Sequence, residues 1–196
     1  MIIYILRHED RTQDCTFFSP LTENGIENSE KLVEILKKLK INKIYSSPFI
    51  RTLQTIYPYS KKYEHLINID YGLAELQHPD LIPPNSYQVT LPQYLAIKFN
   101  VNDKYNSTIK PTEYNYPENN IDLSKKVKKL IKKIINNNHN SENVIILVTH
   151  QGVCNTMHKI ISKNVDLKKD IKYPKGGLTK IFYKNKWVFD PINWEI

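Results

Sequence analysis

Arg7 and His8 stand side by side at the end of the apolar run MIIYIL, and Glu9, Asp10 and Arg11 follow without a break. An ordinary turn would use Gly, Asn, Asp or Pro there. Two other strand-like runs end in comparable clusters. KIY leads into Ser46-Ser47-Pro48 with Arg51 shortly after, and VIILV leads into Thr149-His150-Gln151-Gly152. Arginine is scarce in this chain: among 28 lysines and arginines, only Arg7, Arg11 and Arg51 are arginines. A guanidinium grips phosphate or carboxylate through two parallel N–H donors, which an ammonium cannot do. Two arginines and two histidines brought together suit phosphoryl transfer, in which cationic groups stabilise charge spread over three equatorial oxygens. An imidazole can also serve as the nucleophile, splitting one slow hydrolysis into two faster steps.

Only certain folds bring three strand ends together. MIIYIL and NVIILVTHQGV are continuously apolar, as parallel strands covered on both faces are. KIYSSP and LINIDYG read as shorter strands. The stretch SPLTENGIENSEKLVEILKKLKIN predicts a helix with Thr22 as N-cap and an apolar face of Ile26, Leu32, Val33, Ile35, Leu36 and Leu39. FIRTLQTIYPYSKKY predicts a second helix, kinked or stopped by Pro58. IDLSKKVKKLIKKIINNN predicts an amphipathic helix on Leu123, Val127, Leu130 and Ile134, with its run of lysines read as a solvated face. GVCNTMHKIIS predicts another helix, and GLTKIFYKNKWVFD a hairpin turning near Lys184-Asn185. This order predicts an α/β fold, a three-layer α/β/α sandwich with a mostly parallel central sheet. Ligands of such sheets bind at the carboxyl ends of the strands. Residues 76–120, rich in Pro, Tyr and Asn, read as an irregular lid or insertion with one short helix around 91–99, a kind of segment that often carries function. Residues 1–196 are expected to form one domain around them.

The bulk numbers bound the partners. Net charge is +8 and the pI about 9.2, which favours anionic ligands without choosing among them. Mean hydropathy is −0.49, and no run approaches the roughly 18 apolar residues of a membrane span. MIIYIL is too short for a signal-peptide core and runs into charge, so a cytoplasmic chain is expected. Cys15 and Cys154 lie far apart and offer neither a metal spacing nor a disulfide framework. The lysine-rich helix has few interleaved aromatic residues, so nucleic acid is not the favoured partner.

LRH at 6–8, SPLTENG at 19–25, IYSSPFIRTLQT at 44–55 and VTHQG at 148–152 make the chain similar to the histidine phosphatase superfamily, in the branch related to phosphoglycerate mutases. The resemblance implies a phosphoglycerate mutase-like fold and a metal-independent phosphatase with no cofactor. His8 would be the nucleophile, forming a phosphohistidine. Arg7, Arg51 and His150 would hold the phosphoryl oxygens. Glu75, in GLAEL, matches the acid that protonates the leaving oxygen, and Asp10 is the competing donor. Arg11 and Gln151 are further candidates for substrate binding, although Arg11 could instead pair with Asp10 or Asp14.

Glu9 departs from the family, which usually has Gly after the first Arg-His. Its carboxylate could meet the substrate, raise the pKa of His8, or mark an inactive phosphate-binding or scaffolding relative. Mutase relatives carry basic residues after the catalytic acid, whereas LQHPDLIPPNS has none, so a phosphatase is expected over a phosphotransferase. The substrate would be a phosphorylated small molecule or phosphopeptide. The oligomeric state is not readable. His65, His78, His139 and His158 have no partner motif, and the insertion's tyrosines, Tyr87 among them, could line the site or merely pack.

Overall fold

The computed structural model describes residues 1–84, 90–138, 142–162, 172–184 and 186–192. Tyr87, His139 and Asn185 lie outside the described residues. Among those described, the strands are β1 (Ile2–Arg7), β2 (Lys43–Ser46), β3 (Ile67–Ile69), β4 (Val144–Thr149), β5 (Leu178–Lys184) and β6 (Lys186–Ile192). The helices are α1 (Glu23–Lys37), α2 (Ile50–Lys62), α3 (Gln93–Ala96), α4 (Asn120–Asn137) and α5 (Gln151–Ser162). The strands form one sheet in the order β3-β2-β4-β1-β5-β6. The first four strands in that order run parallel, and β5 and β6 add an antiparallel hairpin.

Side chains alternate across a strand, so a continuously apolar strand feeds two cores. Tyr4, Leu6, Ile146 and Val148 pack with Leu32, Val33 and Leu36 of α1 and Leu53, Ile56 and Tyr59 of α2. Ile3, Ile5, Ile145 and Leu147 pack on the opposite face with Leu123, Val127, Leu130 and Ile134 of α4 and Val153 and Met157 of α5. The result is the expected three-layer α/β/α sandwich. Thr22 caps α1, its hydroxyl accepting from the Gly25 N–H at 3.1 Å.

Three sequence expectations change. Ile26 is 46% exposed, outside the apolar face assigned to α1. Pro58 does not stop α2, which continues to Lys62. A proline in a helix loses one N–H donor, and the buried Ile56 and Tyr59 on either side hold the backbone in place. Lys126 leaves the solvated lysine face. It is 5% exposed and pairs with Glu118 at 3.0 Å.

Among its described residues the insertion carries α3, a 3₁₀ turn at Pro111–Glu113 and an isolated bridge from Val101 to Ile67. Asp70, fully buried just after β3, holds it. Its carboxylate accepts from the Tyr105 hydroxyl at 2.6 Å, from the Thr108 N–H and hydroxyl at 2.9 and 2.7 Å, and from the Gly72 N–H at 2.8 Å. Asp70→Ala leaves those buried donors unpaired. It is expected to lower the unfolding free energy by about 3 kcal/mol or more, read from urea midpoints. A loss below about 1 kcal/mol would show that other contacts anchor the insertion.

Candidate active site

The strand register positions the site. Arg7 of β1 lies opposite Thr149 of β4, so His8 and His150 leave adjacent strands together. Their ring centroids are 5.2 Å apart at an interplanar angle of 65°. On the other side of β4, Ser46 of β2 lies opposite Val148. That pairing sets the Ser47 hydroxyl 2.8 Å from Nε2 of His150. Arg51 enters from the first turn of α2. Its guanidinium stands 4.5 Å over the Phe49 ring and donates to the Thr16 carbonyl at 2.8 Å. Arg7 donates to the Tyr173 carbonyl.

Nδ1 of His8 lies 2.7 Å from the Glu9 carbonyl oxygen. A carbonyl only accepts, so Nδ1 carries the hydrogen and Nε2 of the neutral ring carries the lone pair. Burial, and then Arg51, pull the pKa of both imidazoles well below 6.5. Burial, followed by Arg11, pushes Arg51 down to about 9, so it keeps its charge at neutral pH.

Glu75 follows the 3₁₀ turn after β3 and is 9% exposed. Oε1 accepts from the Leu76 N–H at 3.0 Å, and Oε2 faces the Gly152 N–H at 3.4 Å. Burial raises its pKa above the ordinary value, against the pull of that Leu76 bond and of Arg51. A Cβ on Gly152 would lie 2.6 Å from Oε1, so any side chain there would have to push the Glu75 carboxyl aside. The surrounding loop is held from outside the sheet. Lys126 donates to the Ala74 carbonyl at 3.1 Å, Glu118 accepts from the Gln77 N–H at 2.9 Å, and the Gln77 amide donates to the Glu75 carbonyl at 2.9 Å.

Arg7, His8, Arg11, Arg51, Glu75 and Gln151 line one cavity of about 310 Å³, joined by Gln13, Leu81 and Lys175. His150 is fully buried and lies outside that lining, against His8 and Ser47. Arg7, His8, Arg11, Arg51, Glu75 and Gln151 therefore converge on one cavity, with His150 packed behind His8, whereas Asp10 and Glu9 do not line it. Arg11 pairs with neither Asp10 nor Asp14: it donates to the Thr12 carbonyl and to Sγ of Cys15, the latter at 3.1 Å. Asp10 is taken up by Lys175 and by the Thr22 hydroxyl at 3.2 Å. Lys175 holds its carboxyl below the ordinary range, the wrong direction for a proton donor.

The Glu9 side chain is 1% exposed and does not line the cavity. It lies against Gly176, whose φ is +69° and whose Cβ, if present, would sit 2.0 Å from Oε1 of Glu9. Its carboxylate is not what moves the His8 pKa, which shifts downward through burial and the arginines. Lys175 and the Tyr173 carbonyl, both from the segment before β5, were missed by sequence reasoning. The available signal was Gly176-Gly177, an adjacent pair in a chain with only five glycines.

The two buried imidazoles predict how stability depends on pH. The unfolded chain protonates both near pH 6.5, while the folded chain resists. This contribution is complete above about pH 6.5 and is lost as pH falls toward the depressed folded values. The melting temperature should fall from pH 7 to pH 5, more steeply in the parent than in His150→Asn. Equal slopes would show that His150 is not held neutral by the fold.

Residues 6–195 match the family model of the histidine phosphatase superfamily, branch 1. Over 138 residues the chain is 26% identical to the transcription factor tau 55 kDa subunit of Saccharomyces cerevisiae, covering 67% of this chain and 31% of that protein. The chain thus spans about a third of the length of this curated relative. Among solved structures, it is similar to a mycobacterial glucosyl-3-phosphoglycerate phosphatase complexed with VO3, at TM-score 0.71 and 17% identity over 98% of both chains. A phosphoserine phosphatase from Entamoeba histolytica matches at TM-score 0.68 and 17% identity, over 98% of this chain and 96% of that one. These two likenesses speak for the fold, and the family model speaks for descent: the chain belongs to branch 1 of the histidine phosphatase superfamily.

Proposed function

We propose that the chain is a phosphomonoesterase working through a phosphohistidine on His8, within a single domain spanning residues 1–196. The observation that carries this reading is the His8 tautomer. Its Nδ1 hydrogen is committed to the Glu9 carbonyl, and Nε2 is left with a lone pair in a cavity walled by Arg7 and Arg51.

Nε2 attacks phosphorus, and the bond from phosphorus to the leaving oxygen breaks. Arg7 and Arg51 take up the charge on the equatorial oxygens, and His150 supports them from behind His8. The Glu75 carboxyl gives its proton to the departing alkoxide. A water molecule then attacks the phosphohistidine and loses its proton to the Glu75 carboxylate, releasing phosphate and restoring both groups. Arg11 and Gln151 contact the substrate, a phosphorylated small molecule or phosphopeptide met in the cytoplasm. Glu9, buried and outside the cavity lining, weakens the case for an inactive relative, since it takes no room from the phosphoryl group.

The parent is expected to release phosphate from p-nitrophenyl phosphate in EDTA, and His8→Ala to lose that activity by roughly a thousandfold or more. Phosphate or vanadate binding with no turnover in either protein would favour the binding module. Faster interconversion of 3- and 2-phosphoglycerate than phosphate release would favour the phosphotransferase.

The acid has its own signature. kcat/KM should fall on the acid side as His8 gains a proton below pH 6.5, and on the alkaline side as Glu75 loses its own above its ordinary carboxyl range. Glu75→Gln should abolish the alkaline limb. It should slow an alkyl phosphate by roughly a hundredfold or more, and p-nitrophenyl phosphate far less, because nitrophenolate departs without a proton. Equal losses on both substrates would remove Glu75 as the acid.

A further inference from the structure

The cavity at His8 does not end at Glu75. A groove of about 410 Å³ continues between α4 and α5, sharing Glu75, Leu81 and Gln151 with it. Asn120 and Ser124 line it from α4, and Asn155 and Thr156 from α5. Asn155 is 8% exposed, and its side-chain oxygen has no hydrogen-bond partner among the described residues. Such a group is rare in a folded protein, and each instance calls for an explanation.

We infer that this groove is a second subsite. It takes the alcohol portion of the phosphomonoester, and the alcohol it fits is non-aromatic and polyhydroxylated, as in a sugar or polyol phosphate. The inference rests on the phosphatase reading and deepens it.

Position is the first argument. A proton donor must stand beside the leaving oxygen, with phosphorus on one side and the alcohol carbon on the other. The phosphoryl side of Glu75 is the arginine-lined cavity, so the alcohol runs out along the groove.

Chemistry is the second. Beyond Glu75, the polar groups of the groove are amides and hydroxyls, which both donate and accept as a sugar hydroxyl does. The one cation among its described lining residues, Lys159, is exposed. Among the described residues no aromatic ring lines the groove, so a nucleobase finds nothing among them to stack on. Among the described residues no second carboxylate lines it to receive the ammonium group of an amino acid. Leu76, Leu123 and Ile160 supply apolar wall for the C–H faces of a ring. A hydroxyl donating to Asn155 would complete the amide's hydrogen bonding.

The test is equilibrium titration of His8→Ala with inorganic phosphate, glucose 6-phosphate, glycerol 3-phosphate, AMP and phosphoserine. At least one of the two polyol phosphates should bind about tenfold or more tighter than inorganic phosphate, and AMP and phosphoserine should show no such gain. Adding Asn155→Leu should bring the ratio of polyol phosphate to phosphate affinity toward one. Ser124→Leu, at a half-exposed position of α4, should narrow it independently should the Asn155 variant misfold. No gain for either polyol phosphate, a larger gain for AMP or phosphoserine, or a gain surviving both substitutions would overturn the subsite. Failure of the phosphohistidine reading would show separately, as absent turnover by the parent, and leaves these affinities fully readable.

Discussion

Like charges held out of water govern this site. Three guanidinium groups share the wall of a cavity of about 310 Å³, with Lys175, exposed and paired with Asp10, beside them, and the carboxyl on that wall, Glu75, is pushed by burial toward its neutral form. Cations so placed repel one another and any further proton. Burial, and after it the charge of Arg51, keeps both imidazoles neutral, and burial with the charge of Arg11 brings Arg51 itself down to about 9. Backbone carbonyls of Thr16 and Tyr173 absorb part of the arginines' donor capacity without adding negative charge. Nε of Arg7 and Nε of Arg51 are buried without partners among the described residues. A compact anion with several acceptor oxygens matches those donors better than any protein carboxylate placed nearby, which would cancel the field.

The fold supplies rigidity where this electrostatic arrangement would push groups apart. His8, Ser47 and His150 each stand one residue beyond a parallel strand, and the strands are locked in register by their neighbours on both sides. Glu75 is different: it sits on a loop. Its position depends on the buried pair of Lys126 and Glu118, which ties the loop to α4 and to the end of the insertion. Breaking one partner of a buried pair strands the other charge, so this tie is strong against single changes. Glu75 is thereby positioned in part by α4, which also lines the groove beside it.

What could be read from sequence follows the physics of each signal. Buried parallel strands announce themselves by unbroken apolar runs, and charged residues stand out at their ends, so the convergence of Arg7, His8, Arg51 and His150 was accessible. Thr22 was accessible because capping uses few residue types at one position. Lys126 was in principle accessible too: it falls three residues after Leu123 and four before Leu130, on the apolar face rather than the solvated one. A uniform run of lysines hid that spacing. The contacts of Asp70 with Tyr105 and Thr108, and of Lys175 with Asp10, join loops with no period and no fixed spacing. Such pairs become visible only once the sheet has brought them together.

The packing of Glu9 against Gly176 has a consequence for how this site can change. The two positions lie far apart in the chain, yet the space for one side chain exists only because the other residue has none. Gly176 at φ +69° accepts no ordinary substitute, and restoring glycine at position 9 would open a void beside the backbone that orients His8. Mutational routes between this arrangement and the more usual one therefore pass through poorly packed intermediates unless both sites change together. A library built to alter this active site should vary them as one unit.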